Sequence, residues 1–488
     1  MITRFILIGM LLALGGCSSL PELEEKARYH QIAANTNGNF LSLYHPDNGT
    51  GNVRHQQCGL NQHLEGMISR ISTHLSNKAE GEKKVLISIH GGLNSIKANV
   101  KRVEKHYEDA VDDGYYPVFI SWRSGAATTL KDRYFVVRNG VDRSLWNTVP
   151  SAPFYLASDL LSGVAAIPES FWDQGANFTR SHYNRFTGFY EKDIEHRLND
   201  FNKPNIYYTQ KGDEKSGGEQ FMYAVRQVIP GVLRLISTPL VEGVADKAWD
   251  VMLRRAKILM YRQSDLTYRG IGRWAVDENN IDDETKVIME CEQASPYFVE
   301  GKPNGMVAQL LRALSAEEGV QITLVGHSMG AIIANDIVNE FPELAYERII
   351  HMAAADSIRN FMDKTMPYLA EHPETEFYNL MLHPVNEDQE QSAFGLAPEG
   401  SLLVWIDHLL ENPETTLDRV AGRWENAKWA APLLTSYGDK PLDNVHLKLF
   451  GLRQTLQYED STKSVAEPRE HGDFGDHKFW RQAFYWHY

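Results

Sequence analysis

Gln321–Val338 reads QITLVGHSMGAIIANDIV, and the interpretation of this stretch decides the fold. An apolar run, Gln321 to Val325, predicts a buried strand, and the small and apolar residues after Gly330 predict a helix. Between them stands Gly326-His327-Ser328-Met329-Gly330. A strand that becomes a helix over so few residues must turn sharply. The residue at the apex then takes strained backbone angles, and side chains at the flanking positions would collide with neighbouring backbone. Glycine at 326 and 330 meets that requirement. The same strain lifts the Ser328 hydroxyl off the carboxyl end of the strand and aims the first helical N–H groups, with the helix dipole behind them, at a reacting oxygen. Ala331 and Ala334 allow that helix to approach a sheet closely.

Upstream, Val85–Ile89 is a short β-branched run ended by His90-Gly91-Gly92, which predicts a second buried strand. A helix follows over Ile96–Asp112, closed by Gly114, and PVFISW at 117–122 predicts the next strand. Strand, helix and strand with continuous apolar runs imply parallel pairing. The alternation lapses between 125 and 300, where proline-interrupted apolar stretches predict broken helices, either a lid or extra helices packed on the core. It resumes near Gly305 and adds strands in ERIIHMAAA (347–355), TEFYNLML (375–382) and NVHLKLFGL (444–452), with a helical excursion over 402–434. About six parallel strands with crossover helices predict a doubly wound, mostly parallel α/β sheet carrying a large helical insertion. The expected division is 17–80 as a tether and helical segment (with a helix over Leu60–Leu75), 81–124 and 301–488 as two parts of one core, and 125–300 as the insertion.

Residues 1–16 are of a different kind. Arg4 supplies a positive start, Phe5–Leu14 an apolar core too short to span a bilayer, and Gly15-Gly16 a small-residue end before Cys17. Leu14-Gly15-Gly16-Cys17 resembles the lipobox of bacterial lipoproteins, with glycine at both middle positions a loose match; the other interpretation is a plain secretory signal with a chance cysteine. The resemblance implies cleavage before Cys17, acylation of Cys17 and, because Ser18 and not aspartate follows, retention at the outer membrane. Of the three cysteines, only Cys58 and Cys291 would then remain, as a disulfide or as two thiols. The formal charge of −15 over 488 residues, without a dense basic cluster, argues against a nucleic-acid partner. No Cys-x-x-Cys pattern or phosphate-binding loop points to a metal or cofactor, and none is expected.

The elbow at Ser328 and the His90-Gly91-Gly92 loop resemble the alpha/beta-hydrolase superfamily over 83–122 and from 304 to the C-terminus, leaving the insertion uncovered. That resemblance implies a Ser328 nucleophile, an oxyanion hole from the N–H groups of Met329 and Gly92, and a triad in the order serine, acid, histidine. The base is expected after the last strand, in EHGDFGDHKFW, where the turn-like setting of His471 favours it over His477. The acid is expected at the end of TEFYNLML, at Glu387, with Asp388 next and Asp356, one strand earlier, third. The expected activity is hydrolysis of carboxylic esters, lipid-like or acyl, through an acyl-enzyme; thioesters and amides use the same machinery. A noncatalytic surface lipoprotein using the fold for binding is the alternative.

Overall fold

The computed structural model describes residues 25–34, 53–138, 141–142, 148–165, 206–208, 243, 245–261, 295–390, 400–411, 413–451, 455–457 and 464–481. Residues 1–24, most of 125–300, Cys17 and Cys291, and the side chain of Cys58 therefore lie outside the description. Among the described residues, no helix is long and apolar enough to cross a membrane. The chain divides into two compact units. The first comprises Met1–Ala152, Asp250–Ile322 and Glu343–Ala345; the second comprises Pro153–Trp249, Thr323–Pro342 and Tyr346–Tyr488.

The first unit is built on three strands, β1 (Gln31–Ala34), β2 (Lys84–Ile89) and β3 (Tyr115–Trp122), in the order β1-β3-β2 with both pairs parallel. Helix α1 (Val53–Ser76) precedes β2, and α2 (Ile96–Asp112) makes the crossover from β2 to β3. The start of α2 follows from its sequence: Ser95 Oγ accepts the Ala98 N–H at 3.1 Å, satisfying one of the donors left open at a helix start. Ile96, Val100, Val103 and Tyr107 recur at helical spacing and bury one stripe against Ala27, Ala33 and Phe119. Gly114, at φ 88°, turns the chain from α2 into β3. All eight residues of β3 are buried, as a central parallel strand requires. Residues 31–34 carry no strand signal in the sequence, because four residues at a sheet edge are too short for a pattern.

Helix α3 (Ala126–Phe135) follows β3, and residues 250–258 return to it as helix, with Arg255 paired to Asp132 and donating to the Arg123 carbonyl at 2.9 Å. Helix α4 (Met306–Ser315) opens at Gly305, where a Cβ would lie 2.3 Å from the Leu259 carbonyl oxygen. That close approach requires glycine.

In the second unit, the insertion supplies β4 (Ile206–Tyr208). The other strands are β5 (Gln321–His327), which starts in the first unit, β6 (Tyr346–Met352), β7 (Glu376–Leu382) and β8 (Val445–Phe450). Their order is β5-β6-β7-β8-β4, and the pairs β6–β7, β7–β8 and β8–β4 are parallel. Helix α5 (Gly330–Glu340) crosses from β5 to β6. Strands of near-continuous buried residues, parallel pairing and crossover helices make this an α/β protein. After β8, an antiparallel pair, Thr455–Gln457 with Ser464–Ala466, leads to a 3₁₀ turn over His471–Asp476.

Candidate active site

Ser328 follows the last residue of β5 at φ 52°, a left-handed backbone that a side chain other than glycine rarely adopts. The strain is held in place from several sides. The Ser328 N–H donates to Met352 O at 2.8 Å, and its carbonyl accepts from Ala331 and Ala355. A Cβ on Gly326 would lie 2.7 Å from Gly330 O and 2.8 Å from Ala331 N, so the first glycine of the motif is sterically required. Met329, fully buried, caps α5, with Gly330 as the first helical residue.

The base predicted from the sequence lies close to this elbow. His327 Nε2 donates to the His471 carbonyl at 3.0 Å, and the two imidazoles lie 5.2 Å apart. The His471 N–H in turn donates to Glu390 Oε2 at 2.8 Å. His471 is buried, which lowers its pKa to about 4 and keeps the ring neutral and able to take a proton at pH 7. His477, the alternative, stacks on Phe479 and donates from Nδ1 to the Asp473 carbonyl.

The three candidate acids have different surroundings. Asp356 is saturated, accepting from Asn335 and Asn360 at 2.6 Å each and from the Ser357 N–H at 2.9 Å. Asp388 faces Arg423 at 3.7 Å. Glu387 is buried in a short helix, Pro384–Gln389, and accepts from the Ser401 hydroxyl through Oε2. Burial pushes the Glu387 carboxyl up to about 8, against the opposing pull of Ser401 and Arg423. Burial likewise raises Glu390 to about 7.

Four buried side-chain atoms of the predicted triad have no hydrogen-bond partner: Ser328 Oγ, both ring nitrogens of His471, and Glu387 Oε1. The Ser328–His471 and His471–Glu387 hydrogen bonds are therefore not made in this structure. The structure brings His471 to the residue before Ser328, whereas Asp356 and Asp388 are engaged elsewhere.

Gly92 belongs to the first unit, in the loop leaving β2. That loop is rigidly tied. His90 Nδ1 donates to Gly91 O at 2.6 Å, its Nε2 accepts the Trp122 N–H at 3.0 Å, and Asn94 Nδ2 donates to the Gly92 carbonyl at 3.1 Å. His90 is thus a satisfied structural histidine. Among the described residues, no group of three His, Cys, Asp or Glu could hold a metal ion.

Sequence reasoning did not single out His327 or Glu390. His327 lies within the motif and could have been questioned there. Glu390 had no local signal, since its partner is 81 positions away. Comparison with known proteins gave no match to any family model, curated protein or solved structure.

Proposed function

We propose that this protein is a lipid-anchored serine hydrolase of the alpha/beta-hydrolase type, cleaving carboxylic esters of lipid-like or acyl substrates through an acyl-enzyme on Ser328. The observation that carries this reading is the set of unpartnered buried atoms on Ser328, His471 and Glu387, beside a serine held at φ 52°. Unpartnered buried polar atoms also occur at Thr323 and His351, so what a catalytic role explains is their coincidence on a strained serine and on an acid and a histidine that follow it in the expected chain order.

In the proposed reaction, Ser328 Oγ bonds to the ester carbonyl carbon as its proton passes to His471. The Met329 N–H takes the developing oxyanion. Collapse expels the alcohol, which receives the proton from His471, and a water molecule then repeats the sequence to free the acid. Glu387, its carboxyl held neutral by burial, is the acid assigned to orient the His471 ring by accepting the second imidazole N–H through a carboxyl oxygen. Acylation at Cys17 places the enzyme at the outer membrane.

A second reading, a noncatalytic binding lipoprotein, draws on two observations: Ser328 is only 1% exposed, and the triad hydrogen bonds are not made. The two are separated by treating the detergent-solubilised full chain and its Ser328→Ala variant with a fluorophosphonate probe. Labelling of the parent alone is the expected result. Failure of both to label, in detergent that relieves any closure, would sink the hydrolase reading.

A further inference from the structure

We propose that the cleft between α1, residues 25–30 and the start of β3 binds a phosphomonoester of a small polar molecule. The cleft has a volume of about 430 Å³, within the usual range for small-molecule sites. It is built from Arg28, Tyr29 and His30 on one segment, Arg70 and His74 one turn apart on α1, and Tyr116 on β3. None of its lining residues is acidic, although the chain carries 64 acidic side chains against 49 basic ones. This local reversal of charge is the first indication of an anionic ligand.

The second indication is the way the cations are held. The Arg70 guanidinium lies over the Tyr29 ring at 4.1 Å, and it forms no ion pair among the described residues. Tyr29 is itself stacked on His63 at 4.9 Å, so the platform is fixed. A guanidinium held over an aromatic ring keeps N–H groups free to bond outward, and its fork can grip two oxygens of a phosphate at once. His30 is fixed by donating from Nδ1 to the Pro117 carbonyl at 2.9 Å, and its ring packs on Tyr116. His74 meets the edge of Tyr116 and keeps Nε2 buried without a hydrogen-bond partner. Burial pushes the His30 imidazole down against the Pro117 hydrogen bond, and burial and Lys78 push His74 down, so the two rings stand as neutral hydrogen-bonding groups beside the Arg70 charge.

The end of α1 does not oppose an anion as strongly as a bare helix terminus would. Its Thr73 carbonyl already accepts from Ser76 Oγ at 3.0 Å and Asn77 Nδ2 at 2.8 Å. The aromatic faces are occupied by one another and by the cations, so the ligand need not bring a ring. The volume beyond a single phosphate group leaves room for a polar carrier. The cleft adjoins the amino ends of β1 and β3, whereas the His90–Gly92 loop leaves the carboxyl end of β2, so this is a separate site within the first unit.

The test is calorimetric titration of the detergent-solubilised full chain with glycerol 3-phosphate, inorganic phosphate, dioctanoyl phosphatidic acid and, as a control, sulfate. Saturable binding of glycerol 3-phosphate, weakened at least about tenfold by Arg70→Ala and less by Arg70→Lys, is expected. Arg70→Gln stands in if the alanine variant melts at a lower temperature than the parent. Ser328→Ala should bind as the parent does, which keeps this result independent of the hydrolase reading. Binding of dioctanoyl phosphatidic acid alone, still dependent on Arg70, would assign the phosphate to a lipid headgroup. Equal binding of sulfate, equal binding by the Arg70 variants, or no binding of any phosphate would overturn the proposal.

Discussion

At the scale of single residues, the site is a set of constraints that converge on Ser328. A positive φ at a non-glycine residue costs free energy on the order of 1–3 kcal/mol and persists only where surrounding contacts enforce it. Here Gly326 permits the approach of Gly330 and Ala331, and Met352 and Ala355 bind the serine backbone on either side. The buried state of His471 has a kinetic consequence. Its pKa, depressed to about 4, leaves the neutral base present far below pH 6.5. Fluorophosphonate labelling is expected to stay level from pH 8 down to about 5 and to fall only below that. An inflection near 6.5 would mean an ordinary solvated histidine is the base. The serine was legible in the sequence because its requirement is local: small residues at fixed offsets around a sharp turn. The partners of His471 were not, because His327 and Glu390 reach it only through the fold.

At the scale of elements, the six strands expected from apolar runs are all present, because buried parallel strands carry continuous β-branched and apolar sequence. Two parallel-paired strands without a sequence signal, β1 and β4, are edge strands of four and three residues. Such lengths gain their identity from a neighbour and have no pattern of their own. The helical excursion after residue 402 resolves into a helix, Leu402–Trp405, a wider π turn, Ile406–Leu410, and a second helix, Trp424–Leu434. Asp407 in the π turn organises them. It accepts from Arg423 at 2.8 Å, Asn426 at 2.6 Å and the Val420 N–H at 3.0 Å, all buried. These bonds seat Gly422 against Ala353 and Ala354 at the carboxyl end of β6, where a Cβ would come within 2.1 Å of the Ala354 nitrogen. Asp407→Ala removes the nearer of two carboxylates facing Arg423, leaving Asp388 at 3.7 Å, and should cost about 3 kcal/mol of stability, read from urea midpoints. Asp407→Asn, which keeps the shape, should cost less. Equal stability of Asp407→Ala and the parent would mean that solvent replaces the network.

At the scale of the whole molecule, buried ionisable groups set a dependence of stability on pH. Glu387, at about 8, and Glu390, at about 7, both hold protons more tightly in the folded chain than an ordinary glutamate near 4.5. Their contribution is therefore full below pH 4.5 and is lost as pH rises through 7 and 8. His90, His351, His383 and His471 are depressed by burial to about 3–4 and act in the other direction, losing stability as pH falls from 6.5. Glu387→Gln separates the two. Between pH 5 and 8, its urea midpoint should fall less than the parent's, and parallel curves would show that Glu387 ionises freely when folded. The anchoring reading has its own test: Cys17→Ser should move the protein from the membrane to the soluble fraction and remove the acyl mass from its N-terminus. Continued membrane association of the unacylated variant would point to another mode of attachment.

What the sequence by itself determined is what depends on near neighbours along the chain: the strand–turn–helix at Ser328 and the parallel α/β alternation. Each rests on steric or hydrophobic patterning over a few residues. What only the tertiary structure decided is which charged groups lose water and which groups meet. Glu387 and Asp356 look alike as carboxylates in a sequence, yet one keeps an unpartnered oxygen and the other is saturated by two asparagines. Arg28, Arg70 and Tyr116 carry no common motif, yet they line one cleft. Desolvation and long-range contact are properties of the folded chain, and no local pattern encodes them.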